Sequence, residues 1–179
     1  MENIKVFVIG FHKTGTTSMG IALEKLGYRV TGPNGVNDPQ IEYNVLPMAY
    51  NLVENYDAFQ DNPWPIIFQK IDEKYPGSKF ILTIRNPDLW IKSAVAHFGQ
   101  RETPMRQWIY GKGCPQGNEE IYLKRYTNHN ANVLKYFKNR PNDLLVLDLS
   151  EGDVWKKLCL FLGHDVPKEA FPHANRSIS

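Results

Sequence analysis

Cysteine is scarce: the chain has two, Cys114 and Cys159, far apart and outside any Cys-x-x-Cys or mixed Cys/His spacing. That excludes a disulfide framework and a Cys/His zinc site, and it leaves two reduced thiols. Long hydrophobic runs are also missing. The longest apolar stretches, such as Val6 to Ile9 and Leu144 to Leu147, fall far short of a membrane span, and the first residues lack the apolar region of a signal peptide. The expectation is a cytoplasmic protein with no membrane partner. Excess charge of one sign is lacking too, since 21 Lys plus Arg against 19 Asp plus Glu leave +2. No extended nucleic-acid face follows from that balance, so any anion site must come from the placement of a few residues. There is no repeat of 20 to 50 residues and no low-complexity tract. One glycosylation-type triplet, Asn175, Arg176, Ser177, is a pattern short enough to arise by chance, and nothing else points to secretion.

What is present is a chain of 179 residues, 42% hydrophobic, the size of one domain spanning 1–179. At that length about 70% of the unfolded surface can be buried without staples. Short β-branched runs alternate with longer amphipathic stretches. Ile4 to Ile9 reads as a buried strand, and Met19, Ala22, Leu23 and Leu26 carry helical spacing over Ser18 to Leu26, with Gly27 as a stop. A short strand at Tyr28 to Thr31 and a helix over Glu42 to Asn55 follow, then a helix from Pro65 to Lys74. Lys79 to Ile84 is a second clear strand; Asn86 as N-cap and Pro87 at the first helical position open a helix toward Phe98. Gly99 to Gly117, with Gly111 and Gly113 between them, suits a mobile loop or lid. A helix over Glu119 to Lys138, a strand over Leu144 to Leu149, a helix over Asp153 to Leu162 and an extended tail complete the reading. Strands alternating with helices predict an α/β fold: a central parallel sheet covered on both faces, in three layers.

Two loops carry chemistry. Gly10 to Ser18 (Gly-Phe-His-Lys-Thr-Gly-Thr-Thr-Ser) joins the first strand to a helix N-terminus, where free backbone N–H groups and the positive dipole end attract anions. Gly10 and Gly15 let the backbone curl closely, Lys13 adds a point charge, and the hydroxyls of Thr14, Thr16, Thr17 and Ser18 add donors. The Gly10 to Gly15 spacing fits the GxxxxGK[ST] pattern of nucleotide triphosphatases. Thr16, however, stands where that pattern has its lysine, and the lysine has moved to Lys13. An ordinary Mg-triphosphate is therefore not the expected ligand. In the second loop, Arg85 sits at the carboxyl end of the strand over Lys79 to Ile84, and Ser93 lies in the helix after it. Ligands of open α/β sheets bind outside the carboxyl ends of the strands, so Arg85 and Lys13 share one rim. Alone, Arg85 is equally consistent with a surface ion pair to Asp88, and Trp90 reads as core packing more readily than as an adenine-stacking group.

Together these runs make the chain resemble the PAPS-dependent sulfotransferases, specifically their small P-loop branch, with the P-loop NTPase-like sulfotransferase fold. The match rests on Lys13 through Ser18 and on the pairing of Arg85 with Ser93 eight residues later, and it extends over Asp57 to Trp64, Pro76 to Ser93, Leu144 to Gly163 and Phe171 to Asn175. The resemblance implies that the cofactor is PAPS and the product PAP. It implies that Lys13 contacts the 5′-phosphate and the oxygen bridging to the sulfuryl group, that Thr14, Gly15, Thr16, Thr17 and Ser18 hold the 5′-phosphate, and that Arg85 and Ser93 hold the 3′-phosphate.

Sulfuryl transfer needs an acceptor hydroxyl or amine in line with the leaving phosphate, a base for its proton, and positive charge where negative charge develops. Lys13 suits the leaving oxygen. Asp61, in Phe59-Gln-Asp-Asn-Pro-Trp64, is the first candidate base, because a loop carboxylate beside aromatic residues is open to partial desolvation. His12 is the second, against a loop-packing role. Asp57 reads as a cap or surface contact; Asp148 reads as structural or as the metal-binding aspartate of a nucleotide triphosphatase; Arg176 either folds back over a phosphate, as the resemblance to some sulfotransferases implies, or belongs to a free, mobile tail. Phe59, Trp64, Trp108 and Tyr110 hint at an apolar, small-molecule acceptor or else belong to the core, with the loops at Gly32 to Pro39 and Gly99 to Gly117 shaping the pocket. The alternatives are a P-loop kinase using Asp148 and Mg²⁺, and a catalytically silent nucleotide-binding module.

Overall fold

The structure, a computed structural model, describes residues 4–174. Five parallel strands form one sheet: β1 (Val6–Val8), β2 (Val30–Thr31), β3 (Ala58–Phe59), β4 (Lys79–Ile84) and β5 (Leu144–Asp148), in the order β2-β3-β1-β4-β5. Strand polarity follows from the helical crossovers: α1 (Thr16–Lys25), α2 (Ile41–Asn55), α3 (Trp64–Lys74), α4 (Pro87–Phe98), α5 (Pro104–Tyr110), α6 (Glu119–Tyr136) and α7 (Val154–Leu162). The expected α/β architecture with a parallel central sheet is what the chain forms.

The sheet separates two cores, because neighbouring strand residues point to opposite faces. Val6, Val8, Ala58, Ile81 and Leu147 bury against Met19, Ala22 and Leu23 of α1 and Trp155 and Leu158 of α7. Phe7, Ile9, Phe59, Phe80 and Leu82 turn the other way, onto helices α2 to α6. That second face is aromatic: Phe7 stacks between Phe59 at 4.6 Å and Phe80 at 5.5 Å. β1 is thus buried on both sides in the middle of the sheet, and its carboxyl end is held where β4 runs alongside it. The register pairs Val8 with Ile81, and Ile9 N–H donates to the Ile81 carbonyl at 2.8 Å.

Element bounds shift by a residue or two at most ends, two points differ from expectation, and one open alternative is decided. The strand β3 was not anticipated; two residues between a helix and a turn leave no periodicity to read. Gly99 to Gly117 is not a loose lid. It contains α5, whose Met105, Ile109 and Tyr110 are buried, with Pro104 opening the helix and the Thr103 hydroxyl accepting the Arg106 N–H at 3.2 Å. Phe59, Trp64 and Tyr110 are core residues, and Trp108 packs against the same core; none of the four faces the site described below. Arg176 and the triplet that contains it lie outside the described residues. No helix among those described is long and apolar enough to cross a membrane.

Candidate functional site

The loop from β1 to α1 is shaped by two glycines, Gly10 through the space it leaves for β4 and Gly15 through its backbone conformation. A Cβ on Gly10 would lie 2.0 Å from Thr83 Oγ1 and 2.3 Å from the Thr83 carbonyl, so Gly10 permits the close approach of β4. Gly15 adopts φ +94° as the N-cap of α1, and a Cβ there would meet Leu149 at 2.5 Å. No side chain caps α1, and its first backbone bond runs from Met19 N–H to the Gly15 carbonyl at 3.0 Å. The N–H groups of Thr16, Thr17 and Ser18 are therefore left at the positive end of the helix dipole, an arrangement that receives an anion.

These residues open into a cavity of about 340 Å³. Lys13, Gly15, Thr16, Thr17 and Ser18 line it from the loop, Arg85 and Ser93 from β4 and α4, and His12, Asp61 and Asn62 from the strand ends beside them. The cofactor residues expected from the sequence thus meet in one place, with one exception. Thr14 turns inward: its hydroxyl lies 2.6 Å from both the Phe11 carbonyl and Thr83 Oγ1, so it braces the loop against β4 instead of facing a ligand. Ser18 lines the cavity, but its Oγ accepts the Ala174 N–H at 3.0 Å. Arg85 does not pair with Asp88; its guanidinium donates to the Lys13 carbonyl at 3.3 Å, and Tyr126 clamps its backbone by accepting from the N–H at 2.9 Å and donating to the carbonyl at 2.8 Å.

Lys13 and Asp61 share an uncommon backbone conformation, with φ +64° and +63°. Non-glycine residues held in the left-handed region carry strain that the surroundings must offset, and such strain gathers at functional sites. Asp61 Oδ2 accepts from Thr16 Oγ1 at 3.1 Å and Oδ1 from the Asn62 N–H at 2.6 Å. Burial raises the Asp61 pKa, against the opposing pull of those donors and of the Lys13 ammonium. Burial also lowers Lys13, aided by Arg85, while Asp61 pulls it back up. Among the described residues, Asp61 is the one carboxylate that lines the cavity.

His12 is only 3% exposed. Its Nδ1 lies 3.4 Å from the Asn62 amide nitrogen and its Nε2 3.1 Å from the Tyr110 hydroxyl. Burial, with Arg106, Lys13 and His97 nearby, drops its pKa to about 3, so the ring is neutral at pH 7. Its carbonyl accepts from Trp90 Nε1 at 2.8 Å, and Trp90 is fully buried and stacked on Tyr126 at 4.3 Å, a core residue. Asp57 and Asp148 stand apart from the cavity: Asp57 is paired with Arg29 at 2.7 Å, and Asp148 accepts the Ser150 N–H and hydroxyl at 2.8 and 2.6 Å.

The sequence profile of the "Sulfotransferase domain" family matches residues 5–116 and 103–179, nearly the full chain. The chain belongs to this sulfotransferase family. It is also similar to the Ava biosynthesis cluster protein M of Aspergillus versicolor, 24% identical over an alignment of 217 residues that covers 95% of this chain and 80% of the relative.

In this sulfotransferase-family chain the cavity has a second wall whose residues form no motif in the sequence. Pro33, Val36, Phe98 and Met105 make it partly apolar, and His97, Thr103 and Arg106 make it polar. Pro33, Val36, Thr103, Met105 and Arg106 come from the expected pocket-forming loops, and His97 and Phe98 from the last turn of α4, but the individual residues gave no motif. The capping signal Thr103-Pro104, with Met105 and Ile109 at helical spacing, was enough to find α5 and with it the placement of Arg106. His97 is held below the usual histidine range by burial and by Lys13, Arg101 and Arg106, so the cavity offers a second neutral imidazole.

Proposed function

We propose that the protein transfers the sulfuryl group of PAPS to a hydroxyl or amine of a small acceptor and releases PAP. The observation that carries this reading is the meeting, in one cavity, of two cationic anion-binding groups: Lys13 with the open N-terminus of α1, and Arg85 with Ser93. A ligand with a 5′-phosphosulfate and a 3′-phosphate has anionic groups for both. A mononucleotide without the 3′-phosphate would leave Arg85 and Ser93 unused.

In this mechanism the acceptor oxygen attacks sulfur as the bond from sulfur to the 5′-phosphate oxygen breaks, and that electron pair stays on PAP. Lys13, a compact ammonium already partly desolvated, stabilises the leaving oxygen, where charge develops. Asp61 takes the acceptor's proton. Its raised pKa makes it a stronger base than an exposed aspartate, and its bond to Thr16 ties it to the phosphate loop. His12, in place of the proton-transfer role expected of it, acts as a positioning residue that joins Asn62, Tyr110 and Trp90 behind the loop. The kinase alternative would require Asp148, whose carboxylate is engaged in its own turn at Ser150.

The test is sulfur-labelled PAPS incubated with a panel of small hydroxyl and amine acceptors. The reading expects label in an organic product with equimolar PAP, and loss of transfer in Lys13→Ala. Unchanged turnover in that variant removes Lys13 from the mechanism, and Mg-dependent ATP turnover with none from PAPS points to the kinase.

A further inference from the structure

Buried charge is neutralised elsewhere in this molecule. The buried carboxylate Asp57 is gripped by Arg29 through two bonds of 2.7 and 3.0 Å, and the buried Asp72 by Arg140 through two of 3.1 and 2.6 Å. Arg106 breaks the pattern. Among the described residues it is the one buried Lys or Arg, 5% exposed, and no Asp or Glu lies within ion-pairing distance of it. Its Nε donates to the Gly113 carbonyl at 3.0 Å, another N–H donates to the Arg101 carbonyl, and its guanidinium stacks on the Phe98 ring at 4.4 Å.

The neighbours do not supply the missing negative charge. Burial pushes the phenols of Tyr110 and Tyr122 upward, so both stay neutral, Arg101 adds a like charge, and Glu102 is exposed and unpaired with Arg106. Buried guanidinium groups are ordinarily matched by a carboxylate or phosphate, whose planar or multiple oxygens suit the fork of N–H donors. Here the unmatched cation lines the cavity, on the wall it shares with Pro33, Val36, Phe98 and Met105.

We infer that the acceptor is a carboxylate-bearing hydroxyl compound, its apolar body against Val36, Phe98 and Met105, its carboxylate on Arg106 and its hydroxyl toward Asp61. An amine acceptor, protonated at neutral pH, would meet Lys13, Arg85 and Arg106 as like charges and is disfavoured. This inference rests on the sulfotransferase reading for the identity of the site and on Arg106 for the charge of the acceptor.

The experiment uses three probes of matched size: 4-hydroxyphenylacetate, its neutral amide, and tyramine. Each is titrated by calorimetry into the full protein saturated with PAP. The acid should bind about tenfold or more tightly than the amide, with tyramine weakest. In Arg106→Gln the preference of acid over amide should collapse while PAP affinity is retained. Should that variant fail to fold, the wild-type ranking decides alone. Amide or tyramine binding at or above the acid, no binding of any probe, or loss of PAP affinity in Arg106→Gln with the acid preference intact would overturn the inference. Failure of the wild-type protein to bind PAP at all would remove the sulfotransferase reading and the inference with it, whereas PAP binding without an acid preference removes the inference alone.

Discussion

The loop from β1 to α1 and the segment from Gly99 to Gly117 face the same cavity, yet they are made by different means. The loop presents backbone: three N–H groups at the start of α1, a lysine in a left-handed conformation, and glycines required by the approach of Thr83 and by a positive φ. The segment presents side chains, with Arg106 held by the carbonyls of Arg101 and Gly113 and by the Phe98 ring. Backbone recognition suits an invariant group such as a phosphate, because every residue supplies the same donor. Side-chain recognition suits the acceptor, since it can change by substitution without disturbing the sheet.

That contrast breaks most sharply at Lys13. Lys13→Ala should slow single-turnover transfer by about 10³-fold, in line with the loss of one transition-state donor, while leaving the melting temperature nearly unchanged. Lys13→Gly, which relieves the positive φ, should lose activity equally despite a gain in stability. A variant that keeps its rate would show that the loop only binds.

Asp61→Asn should cost about 10²-fold in rate. The sign of its pH dependence is fixed: a base must be ionised, so the wild-type rate should fall as pH drops through the raised Asp61 pKa, and the variant should lack that limb. A surviving limb would move the role to His97, whose lowered pKa places it below 6.5.

A global effect comes from the buried histidines. Burial pushes His12 down to about 3, and His129, buried in α6 with its Nε2 2.7 Å from the Ile9 carbonyl, down to about 4, against about 6.5 when unfolded, so the unfolded chain binds more protons in between. Stability should be fully present above pH 6.5 and decline as pH falls toward 3, read as melting temperature against pH. A flat profile would show that the rings are hydrated. The smallest effect belongs to the acceptor wall: Thr103→Ala removes the cap of α5 and should cost about 1 kcal/mol, or roughly 2–4 °C in melting temperature.

The same contrast governs what could be read from the sequence. Lys13 to Ser18 follow the end of β1, and Arg85 with Ser93 span the passage from β4 into α4, where the strand-loop-helix pattern alone fixes their positions. The second wall of the cavity joins Pro33 and Val36 to residues 97 to 106, more than 60 positions away, and no local pattern encodes that meeting. Glycine content around α5 masked the capping pair Thr103-Pro104, and the inward turn of Thr14 was invisible because a hydroxyl suits a phosphate and a neighbouring threonine equally well. β3 escaped because two buried residues have no period.

The most direct test of the two-phosphate account is calorimetric titration of the protein with PAP and with Mg-ATP, repeated in Arg85→Ala. The account predicts that PAP binds far more tightly than Mg-ATP, and that removing the Arg85 guanidinium weakens PAP by about tenfold or more. Preference for Mg-ATP, with affinity indifferent to Arg85, would contradict it.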